Sequence, residues 1–329
     1  LEPTNFSGNY NIKGSLGGKT SLEELILMGS LKAKNVYIYD ESFDSIDFNF
    51  SLAQKIIEIK KLESLKGRGS IKGKLSYNLN NDILNFESNV DKMALQDINS
   101  IANFPTTLKG VVNGYFSGKL KDRNWDINSY LRLSESYALS KRLSDTILKF
   151  QMNQNKTTFN LQGFGNKINL ESEIFMTEKK DSFVRLDLNF PDIKAILILV
   201  SGVDLMNMDL VGSLDYSANV LFDFQTKKVK DSFLNTKKLI LNKGPIAIKY
   251  INPQPEIIVK DGKIEKWQTD MRGRNFYIIS KGSGDLLGDY HTESQMKIDA
   301  SIVEVFNDFV SKANGNIRAV SYTHLTLPT

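Results

Sequence analysis

Few residues in this sequence have side chains suited to catalysis. Paired carboxylates, Asp44 with Asp47 and Asp299 with Glu304, have the groups that general acid–base chemistry requires. Carboxylates also recur along most polar segments, so a solvated strand surface is the favoured interpretation of both pairs. With only 2 histidines in the chain, a Ser-His-Asp triad has almost no candidate base. We therefore predict that the protein is not an enzyme.

Metal and cofactor sites also lack their usual residues. The absence of cysteine excludes disulfides, thiolate nucleophiles and cysteine-ligated metal sites. Residues 67–73 (GRGSIKG) resemble a nucleotide-binding loop, but the last glycine is seventh rather than sixth and a strand follows instead of a helix. We interpret this segment as a turn, and expect His291 to lie in another surface turn. No cofactor and no metal are predicted.

The charge balance gives no sign of a strongly charged partner. Lys and Arg total 42 against 38 Asp and Glu, a net charge of +4 over 329 residues, so nucleic acid is not an expected partner. Basic clusters occur at residues 227–230, 237–238 and 272–274. We interpret them as guards that keep strand edges from aggregating, with contact to phosphate groups as the alternative.

Alternation of apolar and polar residues dominates the chain. The runs Ile168, Leu170, Ser172, Ile174, Met176 and Val184, Leu186, Leu188, Phe190 are typical of strands with one dry and one wet face. Turn signals separate such runs, among them residues 80–82, 122–124, 179–181, 261–262 and 282–284. The spacing predicts an all-β protein with a long antiparallel meander.

Three segments depart from the alternation and predict short helices. They are Gln96 to Asn103, Pro191 to Val203, and Ser301 to Asn314. The longest apolar run, residues 195–200, is much shorter than the roughly 20 residues of a membrane-spanning helix.

Glycines near these segments recur at a regular spacing. Gly8, Gly110, Gly212 and Gly315 are separated by 102, 102 and 103 residues. Together with strands about 100 residues apart, the spacing predicts about three diverged repeats, each with a short helix and about six strands. The predicted boundaries are 1–95, 96–190 and 191–298 for the repeats, and 299–319 for the start of a fourth. Residues 320–329 carry no charge and resemble translated sequencing-adapter read-through, so we predict a non-native tail.

Too few helices are predicted to cover the apolar face of such a sheet. The sheet is therefore expected to be elongated and curled, a taco-like groove lined by apolar residues, for which acyl chains are suitable guests because burying each CH₂ contributes about 0.8 kcal/mol. Packing of the same residues across a flattened sandwich is the alternative for any single position. The candidate lining residues are Phe48, Phe50, Ile57, Ile59, Ile71, Leu75, Tyr77, Leu148, Phe150, Phe159, Leu161, Ile168, Leu170, Val184, Leu186, Leu188, Ile248, Tyr250, Ile257, Val259, Phe276 and Ile278.

The strand GVVNGYFSGKL at residues 110–120 and the segment Pro255 to Leu286, with Gly262 between two strands, resemble the AsmA/TamB-like superfamily. The resemblance is one of pattern and extends from Gly8 to Ala319. It implies a fragment of a periplasmic envelope protein, anchored in the inner membrane, that carries phospholipids between the inner and outer membranes and supports outer-membrane biogenesis. It also implies an outer-membrane partner that contacts regions absent from this chain.

Two other classes remain as alternatives. Strands of an outer-membrane β-barrel also alternate, but the interposed helices and the repeat of about 100 residues count against a barrel. A secreted structural protein such as an adhesin would be expected to show short, even coils. Partitioning without detergent discriminates the barrel from the groove.

Overall fold

A computed structural model gives the fold of most of the chain. It describes residues 6–19, 21, 23–38, 41–98, 108–122, 124–138, 141–177, 179–194, 196–197, 209–243, 246–252, 254–273, 276–285, 289–299 and 316–325. These residues form strands β1 to β21 and one short 3₁₀ turn, Leu95–Asp97. The prediction of an all-β, antiparallel protein is confirmed. The chain divides into two compact units, Leu1–Gly165 and Asn166–Thr329.

Unit 1 is an open antiparallel sheet in which strands that follow one another in sequence pair with each other. Its strands are β1 (Phe6–Gly17), β2 (Ile26–Ile38), β3 (Glu41–Ala53), β4 (Ile56–Lys66), β5 (Gly69–Asn78), β6 (Ile83–Ala94), β7 (Leu108–Lys121), β8 (Asn124–Ala138), β9 (Lys141–Arg142), β10 (Thr146–Met152) and β11 (Lys156–Gly163). The short β9 pairs with the end of β8, and β10 pairs with the rest of β8. No pairing joins β1 to β11 within the described residues of the unit, so its sheet is not closed.

Unit 2 has the same sequential pairing with one local branch. Its strands are β12 (Ile168–Phe175), β13 (Ser182–Phe190), β14 (Leu210–Asp223), β15 (Lys228–Lys243), β16 (Ile246–Ile251), β17 (Ile257–Lys260), β18 (Lys263–Arg272), β19 (Phe276–Asp285), β20 (Tyr290–Asp299) and β21 (Asn316–Leu325). Both β16 and β17 pair with β15, each along a different half of that long strand. β18 to β21 then continue from β17 as consecutive antiparallel pairs.

Four alternate strands of unit 1, from β2 to β8, each carry one residue with left-handed backbone. These residues are Asn35 on β2, Lys61 on β4, Lys92 on β6 and Glu135 on β8, with φ between 49° and 54°. Each coincides with a shift in the pairing register, which identifies a β-bulge. Bulges bend a strand and increase its twist. The sheet of unit 1 therefore bends at corresponding places on alternate strands.

Burial in unit 1 is concentrated just beyond these bulges. Val36 and Ser136 each follow a left-handed residue directly and are 0% exposed, and Met93 follows Lys92 at 4%. On β4 the buried residues are Ser64 and Lys66, three and five positions after the bulge residue. The well-packed part of the unit is thus the end of the sheet where β2, β4, β6 and β8 finish.

The predicted helices fall largely outside the described residues. Of the segment from Gln96 to Asn103, the structure describes only the end of the 3₁₀ turn and Ile98. Within Pro191 to Val203, residues 193, 194, 196 and 197 have helical backbone, and 195 and 198–203 are outside the described part, as is the whole of Ser301 to Asn314. The short helices and the repeat boundaries stay predictions.

Two predicted turns were wrong. Residues 282–284 form no turn but lie within β19, where Gly282 is directly opposite Trp267. The glycine leaves space there, since a Cβ would lie 3.3 Å from the indole ring. His291 lies on β20, opposite Ser283, rather than in a turn.

The basic clusters were also misjudged as edge guards. Lys228 to Lys230, with Lys237 and Lys238, lie on β15, which has partners on both sides. Arg272 ends β18, which pairs with both β17 and β19.

Residues 320–325 of the predicted non-native tail continue β21 along β20. That the tail is non-native stays a prediction from the sequence.

The left-handed bulges predict opposite effects of glycine at two lysines. Lys61→Gly removes the steric cost of a side chain at positive φ and is expected to raise the free energy of unfolding by about 0.5–1 kcal/mol. Lys149→Gly, on the regular strand β10, is expected to lower it by a similar amount, about 0.5–1 kcal/mol. Urea unfolding measures both, and equal destabilisation by the two substitutions would contradict the bulge.

Candidate functional site: the apolar face of each unit

Cross-strand pairing collects apolar side chains on one face of unit 1. Directly opposed residues of antiparallel strands project to the same side of a sheet. One row of opposed residues crosses nine strands and consists of Ala33, Ile46, Ser64, Ile71, Val90, Gly114, Leu131, Leu148 and Leu161. A parallel row runs through Gly29, Phe50, Ile59, Leu75, Phe86, Gly118 and Ile127. The face is continuous from strand to strand.

Aromatic rings on this face lie over glycines of the neighbouring strand. A Cβ on Gly29 would lie 2.5 Å from Cζ of Phe50, and a Cβ on Gly118 would lie 2.6 Å from Cζ of Phe86. Phe86 also meets Trp125 edge to face, with ring centroids 6.4 Å apart. The rings therefore cover the backbone of the adjacent strand. They project less from the sheet, and the apolar face is more even as a result.

Unit 2 has an apolar face built in the same way. Its central row of directly opposed residues consists of Leu170, Leu186, Ala218, Leu234, Ile257, Trp267 and Gly282. A second row joins Phe190, Leu214, Leu239 and Tyr250 at the end where β16 pairs with β15. Toward β20 the face becomes richer in hydroxyls, since Ser280 is opposite Ser294 and their Oγ atoms are 2.7 Å apart.

The structure places the predicted lining residues on these two faces. On unit 1 they are Phe48, Phe50, Ile57, Ile59, Ile71, Leu75, Tyr77, Leu148, Phe150, Phe159 and Leu161. On unit 2 they are Ile168, Leu170, Val184, Leu186, Leu188, Ile248, Tyr250, Ile257, Val259, Phe276 and Ile278. The register therefore groups them as the alternation predicted, within each unit.

Most of these side chains are only half-buried. Tyr250, Val259 and Phe276 are buried, at 5%, 3% and 6% exposure. The others remain partly accessible. If a second layer covered an apolar face, side chains along the whole face would be as buried as those three. Most of each face therefore has no covering layer within the described residues of its unit.

Several residues of the face were missed from the sequence. Val90, Phe86, Phe116 and Leu131 belong to the same rows as the predicted residues of unit 1. The alternation Leu84-x-Phe86 was a sufficient signal for β6. Leu131 lies in a regular stretch of β8 and alternates with Ile127 and Leu133, so the same signal was sufficient for it.

The unit 1 face contains an apolar depression of about 360 Å³ near the β2–β3 connection. Val36, Phe43, Phe48, Leu62 and Ile71 contribute to its wall, from β2, β3, β4 and β5. Ser64 is the one polar residue in this wall among the described residues. Its wall includes residues on both sides of the bulge at Asn35 and residues that follow the bulge at Lys61.

The opposite face of each sheet carries cross-strand ion pairs. In unit 1, Lys74 Nζ is 2.9 Å from Glu87, and Lys72 is 2.9 Å from Glu63. In unit 2, Lys281 is 2.8 Å from Glu293. These side chains are largely exposed apart from Glu293, so the pairs contribute little stability individually. They mark the polar faces as the sides of the sheets that are turned to water.

The predicted carboxylate pairs have structural roles where they are described. Asp44 Oδ2 accepts a hydrogen bond from the backbone N–H of Gly67 at 2.7 Å, which fastens the turn after β4. Asp47 lies on the polar face, opposite Lys32 and Glu63. Glu304 is outside the described residues. Among the described residues no cluster of three or more His, Asp or Glu side chains could hold a metal ion.

No protein-family model, curated protein or solved structure matches the chain. In the part of the chain that the structure describes, no helix combines the length and the apolar character needed to span a membrane.

The ion pairs of the polar faces predict a loss of stability in acid. Lys281 lowers the pKa of Glu293, and Arg272 lowers the pKa of Asp270, each chiefly through a hydrogen bond to the carboxylate. A lowered pKa in the folded state stabilises the protein above the unfolded carboxyl pKa of about 4, and this contribution disappears as the pH falls through the folded pKa. The urea midpoint is therefore expected to fall between pH 6 and pH 3.

Glu293→Gln serves as the control, because it removes one of the titrating groups and should reduce the slope of midpoint against pH. A midpoint that rises on acidification would contradict the assignment.

Proposed function

We propose that the apolar faces bind acyl chains and that the protein is a segment of a periplasmic conduit that carries phospholipids between the inner and outer membranes. The observation that carries the proposal is the combination of continuous apolar rows with incomplete burial, as at Leu75 and Leu186. Each CH₂ that such a face removes from water contributes about 0.8 kcal/mol. An acyl chain of ordinary length therefore gains enough to bind without any reactive group on the protein.

The bulges of unit 1 support a curled, groove-like form of the sheet. A flat sheet exposes its apolar face broadly, whereas bulges at Asn35, Lys61, Lys92 and Glu135 bend alternate strands. Bending that is concave toward the apolar side narrows the space above it and increases contact with a linear guest. The depression of about 360 Å³ is on this side of the sheet.

The positions of three spaced glycines support the repeat. Gly8, Gly110 and Gly212 are each the third residue of a long strand, β1, β7 and β14. Five strands lie between the first two of these strands and six between the next two. A repeated unit of this size is what the resemblance to AsmA/TamB-like proteins implies, together with an envelope location, an inner-membrane anchor and a contribution to outer-membrane biogenesis.

Lipid extraction tests the proposal with a matched pair of variants. The chain, incubated with phospholipid vesicles and repurified in detergent-free buffer, is expected to carry phospholipid. Leu186→Asp puts a charge in the central apolar row and should reduce the bound lipid severalfold, because a carboxylate in contact with acyl chains loses its hydration. Asn219→Asp adds the same charge on the polar face, opposite Arg185, and should leave the lipid unchanged.

Far-ultraviolet circular dichroism confirms that both variants keep their strand content. Equal lipid in the two variants, or none with the unaltered chain, contradicts the proposal. A chain that is monodisperse only in detergent would instead favour a membrane-embedded sheet.

A further inference from the structure

The apolar depression of unit 1 contains a polar group that has no hydrogen-bond partner among the residues that the structure describes. Ser64 is 6% exposed, and its Oγ is buried without a hydrogen-bond partner. It is directly opposite Ile46 on β3 and Ile71 on β5, so apolar side chains flank it on both sides. A buried hydroxyl without a partner costs about 1–3 kcal/mol. Alanine would remove that cost at this position.

A buried ion pair lies at the same end of the face. Lys66, two residues after Ser64, projects to the same side and has a side-chain exposure of 7%. Its Nζ is 2.6 Å from Glu41 Oε2 and 5.4 Å from the centre of the Phe43 ring. Phe43 is itself part of the wall of the depression. One end of this apolar space thus has a hydroxyl in its wall and an ammonium group beside it.

The size of the depression limits what it can hold. Binding pockets for small molecules span about 300–1,000 Å³, and about 360 Å³ is near the lower limit. This volume suits a stretch of one hydrocarbon chain better than both chains of a diacyl lipid. The wall is otherwise apolar, so an extended polar group would lack partners there.

We propose that this depression seats a single acyl chain by its polar end, with the carbonyl oxygen of the chain accepting a hydrogen bond from Ser64 Oγ and its anionic end group lying toward Lys66. The inference rests on the proposed function and names the part of the lipid that is recognised. Rotation about χ1 between staggered positions turns the serine hydroxyl within the wall. A guest carbonyl then supplies the partner that the fold does not provide.

The carbonyl and the anion can come from a free fatty acid or from a glycerophospholipid ester. Three probes separate these sources and isolate the carbonyl: palmitate, 1-palmitoyl-lysophosphatidylglycerol, and its 1-O-hexadecyl ether analogue. The last two differ only in the carbonyl oxygen. All are used as monomers, below the concentration at which they form micelles.

Occupancy of the depression is read from a single bimane fluorophore. The chain contains no cysteine, so Ile38→Cys in the wall supplies the only attachment point. Dissociation constants are measured in this background for the parent chain, for Ser64→Ala and for Ser88→Ala. Ser88 is the matched control, because it is a buried serine on the apolar face of unit 1 that lies outside the depression.

Ser64→Ala is expected to weaken binding of the ester lipid by about three- to tenfold, the effect of one hydrogen bond, and to leave the ether lipid unchanged or slightly tighter. Ser88→Ala should change neither. A comparable loss for palmitate identifies the free fatty acid as a ligand as well, whereas binding of the ester alone identifies the glycerophospholipid.

If Ser64→Ala changes the dissociation constants of the ester and ether lipids equally, or changes neither, the proposed acyl-chain site is wrong. If the fluorophore does not respond to any probe while vesicle-treated protein still carries phospholipid, the proposed acyl-chain site is wrong and the proposed function stands. If neither the fluorophore nor the extraction detects lipid, both fail.

Discussion

The pleat of a β-strand forces alternate side chains to opposite faces, and in this protein one of those faces is apolar on nearly every strand. Opposed residues such as Leu75 and Phe86, or Leu186 and Ala218, then extend the apolar rows from strand to strand. The sheet therefore has to leave this surface in water, bend around it or place something on it. Stability within each unit comes mainly from pairing between neighbouring strands, and the burial that a second layer usually supplies is scarce.

Bending is the partial solution that the structure shows in unit 1. The left-handed residues at Asn35, Lys61, Lys92 and Glu135 recur on the alternate strands β2 to β8, and most of the buried side chains lie beyond them. Positive φ is costly for residues other than glycine, so four such residues at corresponding places indicate that the bend itself is favoured. The bent end has a packed interior, and the remainder of the face stays half-buried.

Strand positions and faces could be predicted from the sequence, because period-two alternation directly encodes which residues share a side. Ile168, Leu170, Leu186 and Leu188 were assigned to one face and are paired there. The bulges could not be predicted, since Lys61 looks like any exposed lysine and its role depends on the register of two neighbouring strands. Residues 282–284 were misread as a turn because the space beside Gly282 is taken by the His291 carbonyl oxygen and Trp267, from the two neighbouring strands.

The polar groups of the candidate site were also beyond sequence reasoning. Ser64 and Lys66 look like ordinary wet-face residues of β4, and only the bulge at Lys61 turns them to the apolar side. A one-residue shift inverts every later position of a strand. Details of the site therefore depend on local backbone irregularities that composition and periodicity do not reveal.

Spin labelling tests most directly whether the apolar face is exposed to water in the absence of lipid and becomes covered once lipid binds. Single cysteines replace Leu75 on the apolar face, Lys74 on the polar face and the fully buried Val36, in a chain that has no other cysteine. Before lipid is added, the nitroxide at position 75 should collide with a water-soluble relaxation agent far more often than the nitroxide at position 36. After phospholipid is bound, it should be shielded, while the label at position 74 is unchanged. A label at position 75 that is as shielded as the label at position 36 before any lipid is present would show a sealed interior and contradict the account.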